Sequence, residues 1–335
     1  MRRFVMFLVF VVIIVFLFPQ KKSKKEFILS GITMGRIPYS VKYISDSQFI
    51  YNKEIDSVLI NFNNIFSTYL SNSEISEINK SKGKISISSN FYFLLEQSKE
   101  VFDATNGAFD PTIGPLVNAW GFGPKKKQKT PSDLEIIKLK SFVGYDKLIF
   151  DQNYLYKKYQ ETYLDFSSIA KGYAVDIISN FLLLNGITNF FIEIGGEVRA
   201  MGKNANDNYW RVGITNPSES DNDLIASVSL IDMSIATSGN YRNYYISGDS
   251  TIFHTIDPSS GYPSYSNMIS SSVFSKSCLL ADAYATAFMV LGSEKSKEIL
   301  NSNEKIEGFL MYKDIKGAVK TFTSSNIIND ITIYE

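Results

Sequence analysis

The chain runs to 335 residues, 44% of them hydrophobic, with 34 basic and 34 acidic side chains and a formal net charge of zero. That apolar share excludes wholesale disorder and can build the core of one large domain or two closely packed ones. The charge balance argues against a basic surface made to hold nucleic acid, and a lone cysteine, Cys278, excludes an intrachain disulfide.

The N-terminus carries Arg2 and Arg3, an unbroken apolar run over 4–18, then Pro19, Gln20 and the basic stretch 21–25. At about 1.5 Å per residue such a run covers about 22 Å of a hydrocarbon layer about 30 Å thick. That is short for a span, although flanking Arg and Lys can snorkel. It also suits a signal-peptide core. Residues 1–20 are read as a membrane anchor or uncleaved signal, 21–30 as a linker and 31–335 as one domain. Basic residues on both flanks leave orientation open. The lysine runs at 21–25 and 125–127 read as solvated segments.

Within the domain, 39–43 reads as a strand, and 53–66 as a helix from the spacing of Ile55, Val58, Leu59, Phe62 and Phe66. A helix is expected over 90–102 with Asn90 as its N-cap, then a polar loop over 123–133. Residues 171–184 read as a helix stopped by Asn185-Gly186. Strands are expected over 189–194, running into Gly195-Gly196, and over 210–214, 225–231 and 244–246. An Ala-rich apolar helix covers 279–291, with Cys278 a small buried hydrophobe before it. Strands and helices mix without regular β-α-β alternation, so the fold class is α+β.

Several segments suit chemistry. Asp282 and Thr286 stand four apart on that apolar helix, hence on one face. A buried carboxylate needs a partner or a cation, and a carboxylate with a hydroxyl can serve one hard ion. A helix cap or ion pair would satisfy Asp282 equally well. Residues 164–176 run from an expected strand into a helix, presenting free N–H groups for phosphate. Lys171 would add a charge there and Asp165 a polar edge; alternatively Ser167 or Ser168 merely caps the helix and Lys171 lies in water. His254 is the sole histidine; imidazole titrates near neutrality, so acid-base work falls to it first, with Asp257 before Pro258 also suited to starting a turn. The stretch 106–123, dense in Gly, Pro and aromatics, can wrap a planar ligand. The glycine-centred turns in 193–199 and 236–240 can present N–H groups.

Taken in order, Thr33-Met34-Gly35, Tyr69 with Ser73-Glu74-Ile75, Gly107-Ala108-Phe109-Asp110-Pro111-Thr112-Ile113-Gly114-Pro115 and Trp120-Gly121-Phe122 resemble the ApbE family of FAD:protein FMN transferases. So do Ile169-Ala170-Lys171-Gly172-Tyr173-Ala174, Ile194-Gly195-Gly196, Ala236-Thr237-Ser238-Gly239, His254-Thr255-Ile256-Asp257-Pro258 and Ala281-Asp282 with Thr286. The resemblance covers about residue 31 to the end. It implies an α+β fold related to tunnelling-fold (T-fold) domains. It also implies Mg2+-dependent transfer of the FMN half of FAD to a Thr or Ser hydroxyl of an acceptor protein, with release of AMP. Met34, Tyr69, Ala108, Phe109, Asp110, Asp165, Lys171 and Ile256 would bind FAD. Asp282, Thr286 and the Ser168 carbonyl would hold Mg2+, and His254, with Asp257 in reserve, would move the proton. The chain departs from the family pattern in two places: Arg36 stands where a threonine is usual, and serines occupy 167 and 168. Acceptors would be flavoprotein subunits of a membrane redox complex, with the domain on the extracytoplasmic side of the cytoplasmic membrane. An FAD pyrophosphatase and a tethered, non-catalytic flavin-binding protein are the rival readings.

Overall fold

A computed structural model describes residues 24–46, 49–124, 130–217, 223–240, 244–247 and 250–334. The anchor expected over 1–20, the start of the linker and the lysine run at 125–127 lie outside these. Among the described residues no helix is long and apolar enough to cross a membrane.

An eight-stranded antiparallel sheet forms the centre. Its strands are β1 (Lys25–Thr33), β2 (Ile37–Ser45), β3 (Phe190–Ile194), β4 (Glu197–Met201), β5 (Met233–Gly239), β6 (Met268–Ser275), β7 (Ile306–Lys313) and β8 (Val319–Thr323). They lie side by side in chain order, each next to its predecessor. The linker expected over 21–30 is therefore corrected from residue 25 onward, because that stretch pairs with β2 from Lys25↔Ser45 to Thr33↔Ile37. The physical reason is alternation: Leu29 and Thr33 turn inward while Ile28 and Ile32 stay 60% and 72% exposed.

The helices are α1 (Asn52–Phe66), α2 (Glu74–Lys80), α3 (Ser89–Ala104), α4 (Gly114–Ala119), α5 (Asp133–Lys140), α6 (Ala170–Leu184), α7 (Cys278–Leu291) and α8 (Ser293–Ser302). α1 buries Ile55, Leu59, Phe62 and Phe66, the stripe its spacing predicts. α3 begins earlier than expected: the Ser88 hydroxyl, not Asn90, accepts the Phe91 N–H at 3.2 Å. α6 ends where Asn185 and Gly186 stand, the glycine at φ +75°.

The period-two pattern of the central strands sorts their side chains to two faces. Ala236, Val273 and Leu310 join the core shared with α1, α3, α6 and α7. Ile235, Phe274, Phe309 and Met311 face the other way, onto Trp210, Ile214, Ala226, Val228 and Leu230. Those residues belong to a three-stranded sheet made of Trp210–Thr215, Leu224–Leu230 and Ile331–Ile333. The result is three layers, helices on sheet on sheet, which is the α+β class. A third cluster of Leu116, Trp120, Ile136, Ile252 and Ile256 ties α4 and α5 to the hairpin Tyr244–Ser247 and Ser250–Phe253. That hairpin leads straight into His254.

Candidate active site

α6 and α7 pack side by side because residue 172 is glycine. A Cβ there would stand 2.2 Å from the Cys278 carbonyl oxygen and 2.9 Å from Asp282 Cβ. With the helices this close, each supplies a carboxylate to the other's N-terminus. Asp176 of α6 accepts the N–H groups of Cys278 and Leu279 at 2.9 and 3.0 Å and the Ser277 hydroxyl at 2.9 Å. Asp282 of α7 accepts the Gly172 N–H at 3.0 Å. Both are cap interactions across a helix pair, satisfying N–H groups that helix starts leave open.

The start of α6 is a turn rather than the end of a strand. Only Tyr163 makes a β-bridge, to Ile113. Leu164 is held instead by Asn79, which donates to its carbonyl at 2.9 Å and accepts its N–H at 2.7 Å, and Asp165 N–H donates to Pro111 O at 2.7 Å. Neither Ser167 nor Ser168 caps the helix. The Asp165 carboxylate accepts the Ser167 N–H at 2.8 Å.

Lys171 does not lie in water. Its side chain is 22% exposed, and its ammonium stands 3.3 Å from Glu197 Oε1 and 3.4 Å from Asp282 Oδ1. Burial alone would pull the Lys171 pKa down; the charges of Asp282 and Glu197 reverse this and hold it above the ordinary lysine value. Burial pushes the Glu197 carboxyl up, Lys171 offsets part of that, and the neighbouring Asp282 charge adds to it.

These groups form the floor of a cavity of about 510 Å³, within the usual range of small-molecule sites, about 300–1,000 Å³. Met34, Tyr69, Ala108, Phe109, Asp110, Asp165, Lys171 and Ile256 all line it, as do Ser168, Asp282, Thr286 and His254. Twelve expected residues from distant parts of the chain thus share one cavity. Tyr69, 68% exposed, stands at its edge. Met34 holds the β1–β2 turn at φ +48°. Asp110 folds its own loop, with Oδ1 accepting the Thr112 N–H and hydroxyl at 2.8 and 2.7 Å. The outer wall is pinned by Trp120, whose indole N–H donates to Gly261 O at 2.9 Å. Phe122 meets the His254 ring edge-on at 6.3 Å between centroids.

Asp257, the reserve proton acceptor, is the exception: it is not among the cavity residues. Its two carboxylate oxygens accept the Ser259 N–H at 2.8 Å and hydroxyl at 3.0 Å, so it serves the turn before Gly261. Sequence reasoning missed two carboxylates. Glu197, 4% exposed, lies in the cavity beside Lys171; its place directly after a Gly-Gly turn was the available signal. Asp176 ends the 164–176 segment, but its three acceptor bonds reach residues about a hundred positions away.

The chemistry of the floor suits a hard cation. Two buried carboxylates face one ammonium, and Glu197 Oε2 has no hydrogen-bond partner. Thr286 Oγ1 lies 3.3 Å from Ser238 Oγ, adding hydroxyl oxygen nearby. Among the described residues no group of three or more His, Cys, Asp and Glu could hold a metal. One or two carboxylates can suffice for a hard cation that takes its remaining oxygens from substrate phosphates and water.

Comparison with known proteins adds to this geometry. Residues 34–310 match the ApbE family. The FAD:protein FMN transferase of Vibrio cholerae is 36% identical over 291 residues, spanning 85% of this chain and 87% of that protein. The FAD:protein FMN transferase of Haemophilus influenzae is 34% identical over 319 residues, 91% of this chain and 92% of that protein. Among solved structures, the flavin transferase ApbE from Vibrio cholerae aligns with a TM-score of 0.83 at 34% identity, covering 92% of this chain and 100% of its own. The apo form of the Pseudomonas stutzeri flavinyl transferase ApbE aligns with a TM-score of 0.82 at 31% identity, covering 92% and 97%.

Proposed function

Since the chain belongs to the ApbE family, we propose that it is an FAD:protein FMN transferase that attaches the FMN half of FAD to a Thr or Ser hydroxyl of an acceptor protein. The observation that supports this most is the floor of the cavity, where Lys171 meets carboxylates from two distant elements beneath an apolar and aromatic wall.

The Lys171 ammonium and the N-terminal turn of α6 would bind the charge on the diphosphate bridge of FAD. Phe109, Ile113 and Phe122 give the cavity its apolar surface, which excludes water from a phosphoryl group that water would otherwise hydrolyse. The acceptor hydroxyl forms a bond to the phosphorus on the riboflavin side, the bond to the AMP oxygen breaks, and the hydroxyl proton goes to His254. Lys171 stabilises charge growing on the departing phosphate. A bound Mg2+, held by Asp282, Thr286 and the Ser168 carbonyl, would supply further charge neutralisation at the same diphosphate.

Residues 1–20 would tether the domain to the cytoplasmic membrane on its extracytoplasmic side, raising its concentration near flavoprotein subunits of membrane redox complexes. Protease treatment of intact cells tests that orientation, since degradation of the domain is expected only if it lies outside. The reaction itself is tested by incubating the chain with FAD, Mg2+ and a candidate acceptor, then measuring acceptor mass. An acceptor gaining one FMN, with AMP in solution, is the expected result. Free FMN and AMP with no acceptor labelled would mean hydrolysis instead, and intact FAD would mean binding without catalysis.

A further inference from the structure

Glu197 has no part in the chemistry above, yet its geometry gives it one. It opens β4 directly after the two-residue turn Gly195-Gly196, with Ile194 paired to Glu197 across the hairpin. Both glycines take positive φ, +62° and +106°, as tight hairpins require. A Cβ at Gly195 would stand 3.4 Å from Lys171 Cδ, so the turn lies against the lysine stem. The hairpin therefore sets Glu197 beside Lys171 by backbone geometry alone.

The Lys171 ammonium straddles two oxygens, at 3.3 Å from Glu197 and 3.4 Å from Asp282. Both distances exceed the roughly 2.7–2.9 Å of a direct charge-assisted hydrogen bond, so neither carboxylate holds the ammonium alone. Asp282 Oδ2 is engaged by the Gly172 N–H. Oδ1 is then the oxygen with coordination to offer a cation, and it is the one Lys171 faces. Two cations sharing one oxygen repel, which favours withdrawal of the ammonium when a divalent ion arrives. Glu197, buried and with Oε2 unpartnered, has the capacity to receive it.

We propose that Glu197 is a positioning residue for Lys171, drawing the ammonium off Asp282 when a divalent cation binds and holding it against the diphosphate bridge of the substrate. The proposal rests on the FMN-transferase reading of the cavity. Without the Glu197 charge, Lys171 stays on Asp282 and competes with the ion.

The test is Mn2+ binding to the full-length chain without FAD, followed by electron paramagnetic resonance. Glu197→Gln keeps the side chain's shape and is expected to weaken Mn2+ binding about tenfold, the size of coupling seen between contacting residues. In a Lys171→Met background the same change is expected to have little effect, because the competitor is gone. Glu197→Ala, measured alongside, should repeat the pattern if the amide variant does not fold. Unchanged Mn2+ affinity in folded Glu197→Gln, or an equal loss in both backgrounds, overturns the proposal; the second result would make Glu197 act on the cation directly. Wild-type protein that binds no Mn2+ without FAD also overturns this inference, since there is then no competition at Asp282 for Glu197 to relieve.

Discussion

Asp110 is 6% exposed, and burial raises its pKa from 3.8 to about 6 against the opposing pull of the Thr112 hydrogen bonds. Below pH 4 the carboxyl is protonated folded and unfolded alike, and it contributes nothing. As pH rises from about 4 to 6 the unfolded chain loses the proton first, so stability falls, by about 3 kcal/mol once both states are ionised. Asp110→Asn keeps the oxygen that accepts from Thr112 and removes the charge. Thermal melts should show the variant several degrees more stable at pH 7 and level with wild type near pH 4; an equal gain at both pH values would refute the account. His254 belongs to the same scale. If it takes the acceptor's proton, His254→Ala should slow transfer by about 10²–10⁴-fold, with the neutral-pH limb of the rate profile flattened. A variant with the wild-type profile would exclude the imidazole.

At the scale of elements, the site is a property of the α6–α7 pair. Lys171 rides on one helix, Asp282 and Thr286 on the other, and their spacing is set by Gly172 and by two carboxylate caps crossing between them. Gly172→Ala forces its methyl into the Cys278 carbonyl, and overpacking of this kind costs about 1–3 kcal/mol. Because relief requires α7 to move, transfer should fall further than stability does. Asp176→Ala leaves the α7 N–H groups of Cys278 and Leu279 without their acceptor, a loss of about 2–4 kcal/mol. Urea unfolding measures both. A Gly172→Ala protein of wild-type stability and rate would show that the helices have slack.

For the whole molecule, the cavity is assembled from distant parts of the chain: the β1–β2 turn, the end of α1, the 108–122 segment with α4, the α6 junction, the β3–β4 hairpin, β5, the His254 loop and α7. A ligand there binds only the folded state, so FAD with Mg2+ should raise the melting temperature. At a hundred times the dissociation constant the gain is about 2.7 kcal/mol, or several degrees for a protein of this size. Asp282→Ala should lose the Mg2+-dependent part of that shift and about a hundredfold or more of the transfer rate. A variant keeping both would rule Asp282 out as a metal ligand.

The sequence by itself determined the elements whose signal is local. The apolar stripe of α1, the Asn185-Gly186 stop of α6 and the apolar α7 are legible because helices and strands impose short periods on neighbouring residues. It also carried the ordered motifs whose resemblance pointed to the family, and with them the residues that line the cavity. Only the tertiary structure decided that β1 pairs as an edge strand, that Asp257 stays outside the cavity, and that Lys171, Glu197 and Asp282 meet. The physical reason is distance along the chain. Lys171 and Asp282 are 111 residues apart, and no periodicity reports such a contact. It exists because a central sheet laid down in chain order brings α6 and α7 onto one face, and because a glycine lets them touch.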